Sequence, residues 1–273
     1  MPSLIAEKLG LTLPIFKSGR SGMKGGKPPV HRDPRFLTSG SGKLTGFKVL
    51  TNISFELRTG DRLGIVGRNG SGKSTLLSVL GGIYEPTEGE LKVDGKVRGI
   101  FNLSLGLNND ATGYRNIQML GLVAGLTLDE IEHKIPEIAE FSELDEFLMM
   151  PVSVYSSGMR MRLLFATFTA FRPEILLLDE WLGTGDVNFR QKAGRKMQEI
   201  VEDAGIVVLA SHNHKLLQEN CNVSVWLEGG QIAMYGDTQE VIAAYEDQQA
   251  KIKNAKPEEQ QSPLKAIEQS HAE

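Results

Sequence analysis

Residues 64–75 read GIVGRNGSGKST. Gly67, Gly72, Lys73 and Ser74 keep the spacing G-x-x-x-x-G-K-[ST], after an apolar run and ahead of the helical pattern STLLSVLGG. Such a loop binds phosphate. Glycines let successive backbone N–H groups turn inward onto phosphate oxygens, and the start of the following helix adds its dipole. Lys73 brings a point charge to β- and γ-phosphates, and the Ser74 hydroxyl suits Mg²⁺. The candidate ligand is therefore ATP, held by Gly67, Arg68, Asn69, Gly70, Ser71, Gly72, Lys73, Ser74 and Thr75.

A second group follows the apolar run EILLLDE, which ends on Asp179 and Glu180. A carboxylate at a strand end can hold Mg²⁺, and the next one can polarise an attacking water. His212, in VVLASHNHKLL, also follows an apolar run and is placed to contact a γ-phosphate. His214 has no such claim and reads as surface. The third group is YSSGM, residues 155–159, which opens an apolar helix. Serines can cap that helix, yet Arg160 and Arg162 occupy its first turn, where acidic residues are favoured. The arrangement asks for a negative charge from outside.

The elements around these groups follow from periodicity. LIAEKLGLTLPIF and FKVLTNISFEL read as two antiparallel strands separated by an insert, residues 17–46. That insert carries seven Lys and Arg residues against Asp33 alone and is rich in Gly, Ser and Pro. Its composition fits a solvated loop or a surface facing anionic lipid headgroups. LKVDGKVRGI predicts a hairpin at Asp94-Gly95, and WLEGGQIAMYG predicts another over Gly229-Gly230. Residues 112–172 take helical spacing, and EILLLD, GIVVLAS and NVSVWLE read as buried parallel strands. The segment 247–273 is polar and is expected to be a disordered tail.

Composition narrows the function classes. The chain has 273 residues, 40% of them hydrophobic, enough for one large α/β domain or two small ones. A formal charge of −4 gives no general bias towards nucleic acid. The lone Cys221 excludes an internal disulfide framework and fits a reducing cytoplasm. No apolar run reaches the roughly 18 residues of a membrane span.

GRNGSGKST, YSSGM, EILLLDE and SHNHK, in that order, make residues 1–246 resemble the ATP-binding subunits of ABC transporters. The resemblance implies an α/β fold of the P-loop NTPase type. It would comprise an antiparallel β subdomain, a RecA-like core and a helical subdomain over 112–172. YSSGM takes the place of the family's LSGGQ signature, whose helix points at the γ-phosphate of ATP held by the other protomer. The external charge is then a nucleotide bound in trans, met by Ser156, Ser157 and Gly158. Asp186 falls at the family's D-loop, with Trp181 replacing the usual proline. Phe16 ends the first strand where an adenine-stacking aromatic often lies, with Phe47 as a second candidate. The usual Q-loop glutamine is missing; either Asn102 supplies a shorter amide to the metal in its place, or the metal uses water instead.

NLSLGLNNDATGYRNI, taken with these motifs, resembles the subfamily that exports O-antigen and related polysaccharides (Wzt-like). That implies a homodimer with two ATP molecules between its protomers, docked on a polytopic membrane permease at the cytoplasmic face of the inner membrane. The cargo would be a lipid-linked glycan, with helices of 112–172 and residues 106–114 meeting the permease. The length leaves no room for the large C-terminal carbohydrate-binding domain of some members. The alternatives are an ABC ATPase for another substrate such as teichoic acid, and a soluble one acting on ribosomes or DNA. The latter usually carry two ATPase units or a long coiled coil, whereas one unit and no heptads are visible here.

Overall fold

The computed structural model describes residues 1–15, 33–40, 43–100, 106–180 and 187–254. They divide into two compact units. One is formed by Ser3–Asp94 with the chain from Val208 onward, the other by Met1–Pro2 with Gly95–Val207.

The first unit holds the phosphate-binding loop. Strands β1 (Ser3–Pro14), β2 (Phe36–Thr38), β3 (Leu44–Arg58) and β5 (Glu88–Asp94) form an antiparallel sheet in the order β2-β3-β1-β5. Alternation sets its faces: Ile53, Phe55 and Leu57 are buried, while Asn52, Ser54, Glu56 and Arg58 point outward. The register puts Leu4 opposite Leu57 and Ala6 opposite Phe55, so both strands bury the same face. Strand β4 (Arg62–Val66) is buried from Leu63 onward and runs parallel to β9 (Val223–Glu228). Strand β9 turns over Gly229 and Gly230, at φ 54° and 83°, into antiparallel β10 (Gln231–Asp237). Helices α1 (Lys73–Leu80), α6 (His214–Asn220) and α7 (Thr238–Asn254) complete this unit. Cys221 follows α6, and burial pushes its thiol up to about 12, against the pull of Arg62.

The second unit carries parallel strands β6 (Val97–Ile100) and β7 (Ile175–Asp179), with Gly99 opposite Leu177. Its helices are α2 (Gly113–Val123), α3 (Leu128–Ser142), α4 (Ser157–Ala170) and α5 (Val187–Asp203), with two short 3-10 turns between α3 and α4. A reciprocal cap starts α3, Thr127 accepting from the Glu130 N–H and Glu130 from the Thr127 N–H. Ile117, Ile131, Ile138, Leu163 and Phe171 form the core of these helices. Gly121 lets α2 approach α3, because a Cβ there would meet Ile131 Cγ1 at 2.5 Å. Phe141, Phe165 and Phe189 join α3, α4 and α5 at ring separations of 5.8 to 5.9 Å. Strand β8 (Ile206–Ala210) is fully buried, and the division between the units falls within it, after Val207.

Three expectations are corrected. Asp94-Gly95 does not turn a hairpin: β5 pairs with β1, and β6 pairs with β7. Residues of β6 find a parallel neighbour 78 positions away, Val97 opposite Ile175, a pairing no local turn signal announces. The 17–46 insert contains a strand, since β2 adds to the edge of β3 with Phe36 opposite Phe47. Residues 247–254 are helix and not tail, because α7 runs to Asn254 with Lys251 and Lys253 in its last turn, where cations favour a helix end.

Candidate active site

Strand β4 delivers the chain to the phosphate-binding loop at Val66, and α1 leaves it at Lys73. Gly67 must be glycine, because a Cβ there would collide with the Leu227 carbonyl oxygen. Gly72, at φ 108°, would press a Cβ against Leu50 at 3.0 Å, and it caps α1 without any side-chain hydrogen bond. Lys73 is 8% exposed, and its ammonium curls back to donate to the carbonyls of Gly67 (2.7 Å) and Arg68 (3.2 Å). The Ser71 hydroxyl is buried and has no hydrogen-bond partner among the described residues. An orphaned buried hydroxyl costs about 1–3 kcal/mol unless something completes it. An uncapped helix start, an inward ammonium and that hydroxyl together fit a polyanion such as the ATP triphosphate.

Arg35 joins this loop unannounced. It makes a forked pair with Asp33, lies 4.9 Å over the Phe47 ring, and donates to the Gly70 carbonyl at 3.5 Å. Its hydrogen bond to Asp33 holds that carboxyl below its ordinary pKa. As one of several cations in a Gly-rich stretch, it reads in sequence as solvated. Only the pairing of β2 with β3 carries it to Phe47. Phe47, the second stacking candidate, has Arg35 over its ring and Phe36 at 4.8 Å. Phe16 lies outside the described residues.

His212 is exposed just past β8, in a turn fastened by the Asn213 N–H donating to Ser211 Oγ at 3.0 Å. Asn213 then caps α6 by accepting from the Leu216 N–H at 3.2 Å. His214 is not simple surface: its Nδ1 lies 2.7 Å from Glu246 Oε1 and its ring meets Tyr245 edge-on.

The second unit supplies the carboxylates and the YSSGM helix. Asp179 ends β7 half-buried, and Glu180 follows it, exposed, at φ 65°. A non-glycine residue held in the left-handed region costs about 1–3 kcal/mol, a strain typical of active sites. Ser156 caps α4 by accepting from the Met159 N–H at 3.2 Å, and Ser156, Ser157 and Gly158 are all exposed. Arg162 is already answered: it donates to Glu143 Oε2 at 3.2 Å and lies 5.3 Å over Phe189. Arg160 has a buried Nε without a partner among the described residues. Asn102 and Asp186 lie outside the described residues.

Asn116 was not anticipated. It is fully buried at the start of α2 and organises residues 108–112. Its Oδ1 accepts from the Asn108 N–H at 2.7 Å, and its amide nitrogen lies 3.0, 3.3 and 2.9 Å from the carbonyls of Asn108, Ala111 and Thr112. A polar residue at a helix-core position was the available signal.

Comparison with known proteins places these features in context. The ABC transporter family profile matches residues 50–183. The chain is 40% identical to the O-antigen export system ATP-binding protein RfbE of Yersinia enterocolitica, over 89% of its own length and all of that protein. It is 40% identical to RfbB of Myxococcus xanthus, also named an O-antigen export ATP-binding protein, over 72% of the chain but 45% of that protein. It is 38% identical to the teichoic acids export ATP-binding protein TagH of Staphylococcus saprophyticus, over 85% of the chain and 83% of that protein. Among solved structures, an ATP-binding subunit of an ABC transporter matches 89% of the chain and 93% of its own, with TM-score 0.63 at 18% identity. The dimeric post-hydrolysis cassette MJ0796 bound to ADP and Pi matches 86% and 98%, with TM-score 0.61 at 20% identity.

Proposed function

This chain belongs to the ABC-transporter ATP-binding proteins, in the branch of the polysaccharide-export ATPases, and from that premise we propose how its residues drive export. It hydrolyses ATP for the export of a polysaccharide. The observation that carries the site assignment is the cradle in which an inward Lys73 and an orphaned Ser71 hydroxyl adjoin an uncapped helix start. Lys73 and the first N–H groups of α1 hold the β- and γ-phosphates. Ser74, Asp179 and Asn102 are the residues that would hold Mg²⁺, which when bound would supply charge to neutralise the phosphates. Glu180 takes the proton from the attacking water, and His212 contacts the γ-phosphate.

The working form is a homodimer in which Ser156, Ser157, Gly158 and Asp186 of one protomer complete the ATP site of the other. The exposure of the α4 cap supports this, since the Ser156 hydroxyl, although it caps its own helix, keeps a proton to donate. The permease contact is the surface ahead of YSSGM. Phe147, Met149, Met150 and Val154 are 50%, 65%, 46% and 55% exposed there, an apolar patch of adaptable side chains. The protein sits peripherally on the cytoplasmic face of the inner membrane. Among the described residues no helix is long and apolar enough to cross a membrane. Basic residues of the 17–46 segment other than Arg35 face anionic headgroups, at roughly 1 kcal/mol each.

The cargo is a lipid-linked glycan such as O-antigen or capsule. Relatives are named for O-antigen export and for teichoic acids export, all polymers. A deletion strain tests the reading by separating surface from intracellular glycan. Expected is normal synthesis, loss of surface polymer and accumulation of lipid-linked polymer inside. Normal surface polysaccharide with failed uptake of a small nutrient would overturn the exporter assignment and leave the ATPase standing.

A further inference from the structure

The helical unit contains a cavity of about 500 Å³ that none of the motifs above uses. Its walls come from the start of β6, the first turns of α3 and the end of α4. The apolar side is Leu126, Ala170 and Phe171. The polar side is cationic, with Lys96, Arg98, Lys134 and Arg172 against Asp129 and Glu130, and with His133 between them.

Several of these charges are already satisfied. Arg172 pairs with Asp203, and Lys134 pairs with Glu137 at 3.2 Å. Glu130 spends its carboxylate on Thr127, accepting from that N–H at 2.8 Å and from the hydroxyl at 2.9 Å. Asp129 is exposed. His133 Nδ1 lies 2.6 Å from the Asp129 backbone carbonyl. Among the described residues Arg98 and Lys96 make no ion pair within 4 Å, although the Lys96 charge helps, after the Thr127 hydrogen bonds, to hold the Glu130 carboxyl below its ordinary pKa. Arg98 is half-buried, donates once to the Ala124 carbonyl at 3.2 Å, and lies 5.2 Å over the Phe171 ring. Burial alone holds its guanidinium below its ordinary pKa, with no carboxylate raising it again. A planar fork of five donors, partly desolvated and mostly unused, suits a phosphate bound through two parallel hydrogen bonds. A cavity of this volume suits a small molecule more than an ion alone.

We propose that this cavity is a second ligand site, separate from the ATP loop, that binds a phosphomonoester. Arg98 and Lys96 hold the phosphate, and Leu126 and Phe171 pack against the apolar group that carries it. The same chemistry is offered by a small phosphorylated compound and by a phospholipid headgroup, so both are probed.

The test measures equilibrium binding of phenyl phosphate, and of vesicles of phosphatidic acid in phosphatidylcholine, to the full-length chain. Lys73→Ala is measured in parallel to remove the ATP loop from account. Saturable binding of phenyl phosphate, one per chain, is expected in both proteins. Arg98→Gln should weaken it about tenfold or more, as for loss of a charge-assisted pair. Arg98→Lys should recover only part of the affinity, because a point charge lacks the fork. Lys96→Gln, at an exposed position, gives a readout if Arg98→Gln fails to fold, with the same direction expected. Binding of the vesicles alone, lost in these variants, would assign the phosphate to a lipid and keep the site. Absence of binding to either probe would overturn the proposal, as would unchanged affinity in both Arg98→Gln and Lys96→Gln. Loss of binding in Lys73→Ala alone would return the ligand to the ATP loop and equally overturn it.

Discussion

Single residues here show two ways of holding an uncomfortable state. Glu180 sits in the left-handed region, where an acidic side chain with a Cβ is strained, yet it is exposed and directly follows the buried run Ile175–Leu178. That exposure fits the water-activating role proposed for its carboxylate. Glu180→Gln should therefore bind ATP normally and lose about 10²–10⁴ in turnover. Wild-type hydrolysis in that variant would remove Glu180 from its assigned role. Cys221 shows the opposite case. Its thiol is pushed up to about 12 by burial, so it stays protonated and unreactive at neutral pH.

At the scale of elements, residues 106–112 ahead of α2 matter most, because Asn109 and Ala111 accept hydrogen bonds from Ser153 and Val152, beside the proposed permease surface. Asn116 acts there as an internal template, making bonds to four backbone groups from one buried side chain. The Thr112 hydroxyl adds the cap of α2, accepting from the Arg115 N–H at 3.1 Å. Asn116→Ala would take the Oδ1 acceptor from the Asn108 N–H and three amide contacts from the carbonyls of residues 108–112, and would leave a gap at a fully buried position. It should cost about 2–3 kcal/mol in urea unfolding, the mid-to-upper range for single substitutions. A loss below about 0.5 kcal/mol, within the range of an ordinary surface change, would show that the loop holds itself. Helix α4 illustrates a second principle. Its two first-turn arginines look equivalent in sequence, but Glu143 and Phe189 absorb Arg162.

For the whole molecule, the residues proposed for the chemistry are divided: the phosphate loop and His212 belong to one unit, Asp179, Glu180 and YSSGM to the other. The proposed dimer adds a division between protomers, and this can be tested by complementation. Ser156→Arg puts bulk and charge at the exposed cap of α4. It should leave ATP binding to monomers intact and abolish ATP-driven dimerisation and hydrolysis. Mixed with Lys73→Ala protomers, it should regain activity, because one composite site then carries neither defect. No activity at any mixing ratio would leave a site built within one protomer.

The sequence by itself determined the chemistry whose signal is local. GRNGSGKST states residue types at fixed offsets along one strand-turn-helix unit, EILLLDE along a strand and its end, and YSSGM at a helix start, and those offsets are local geometry. The Gly229-Gly230 hairpin was legible for the same reason, since two glycines admit the turn that strand twist requires. What only the tertiary structure decided depends on partners distant in sequence. No local pattern could say that β6 would pair with β7, or that Arg35 would be carried by an edge strand onto Phe47. Nor could it tell Arg98, whose charge meets a ring and a carbonyl, from Arg172, whose charge meets a carboxylate. A side chain's type is written in the chain, but whether its charge is spent is set by what packing brings beside it.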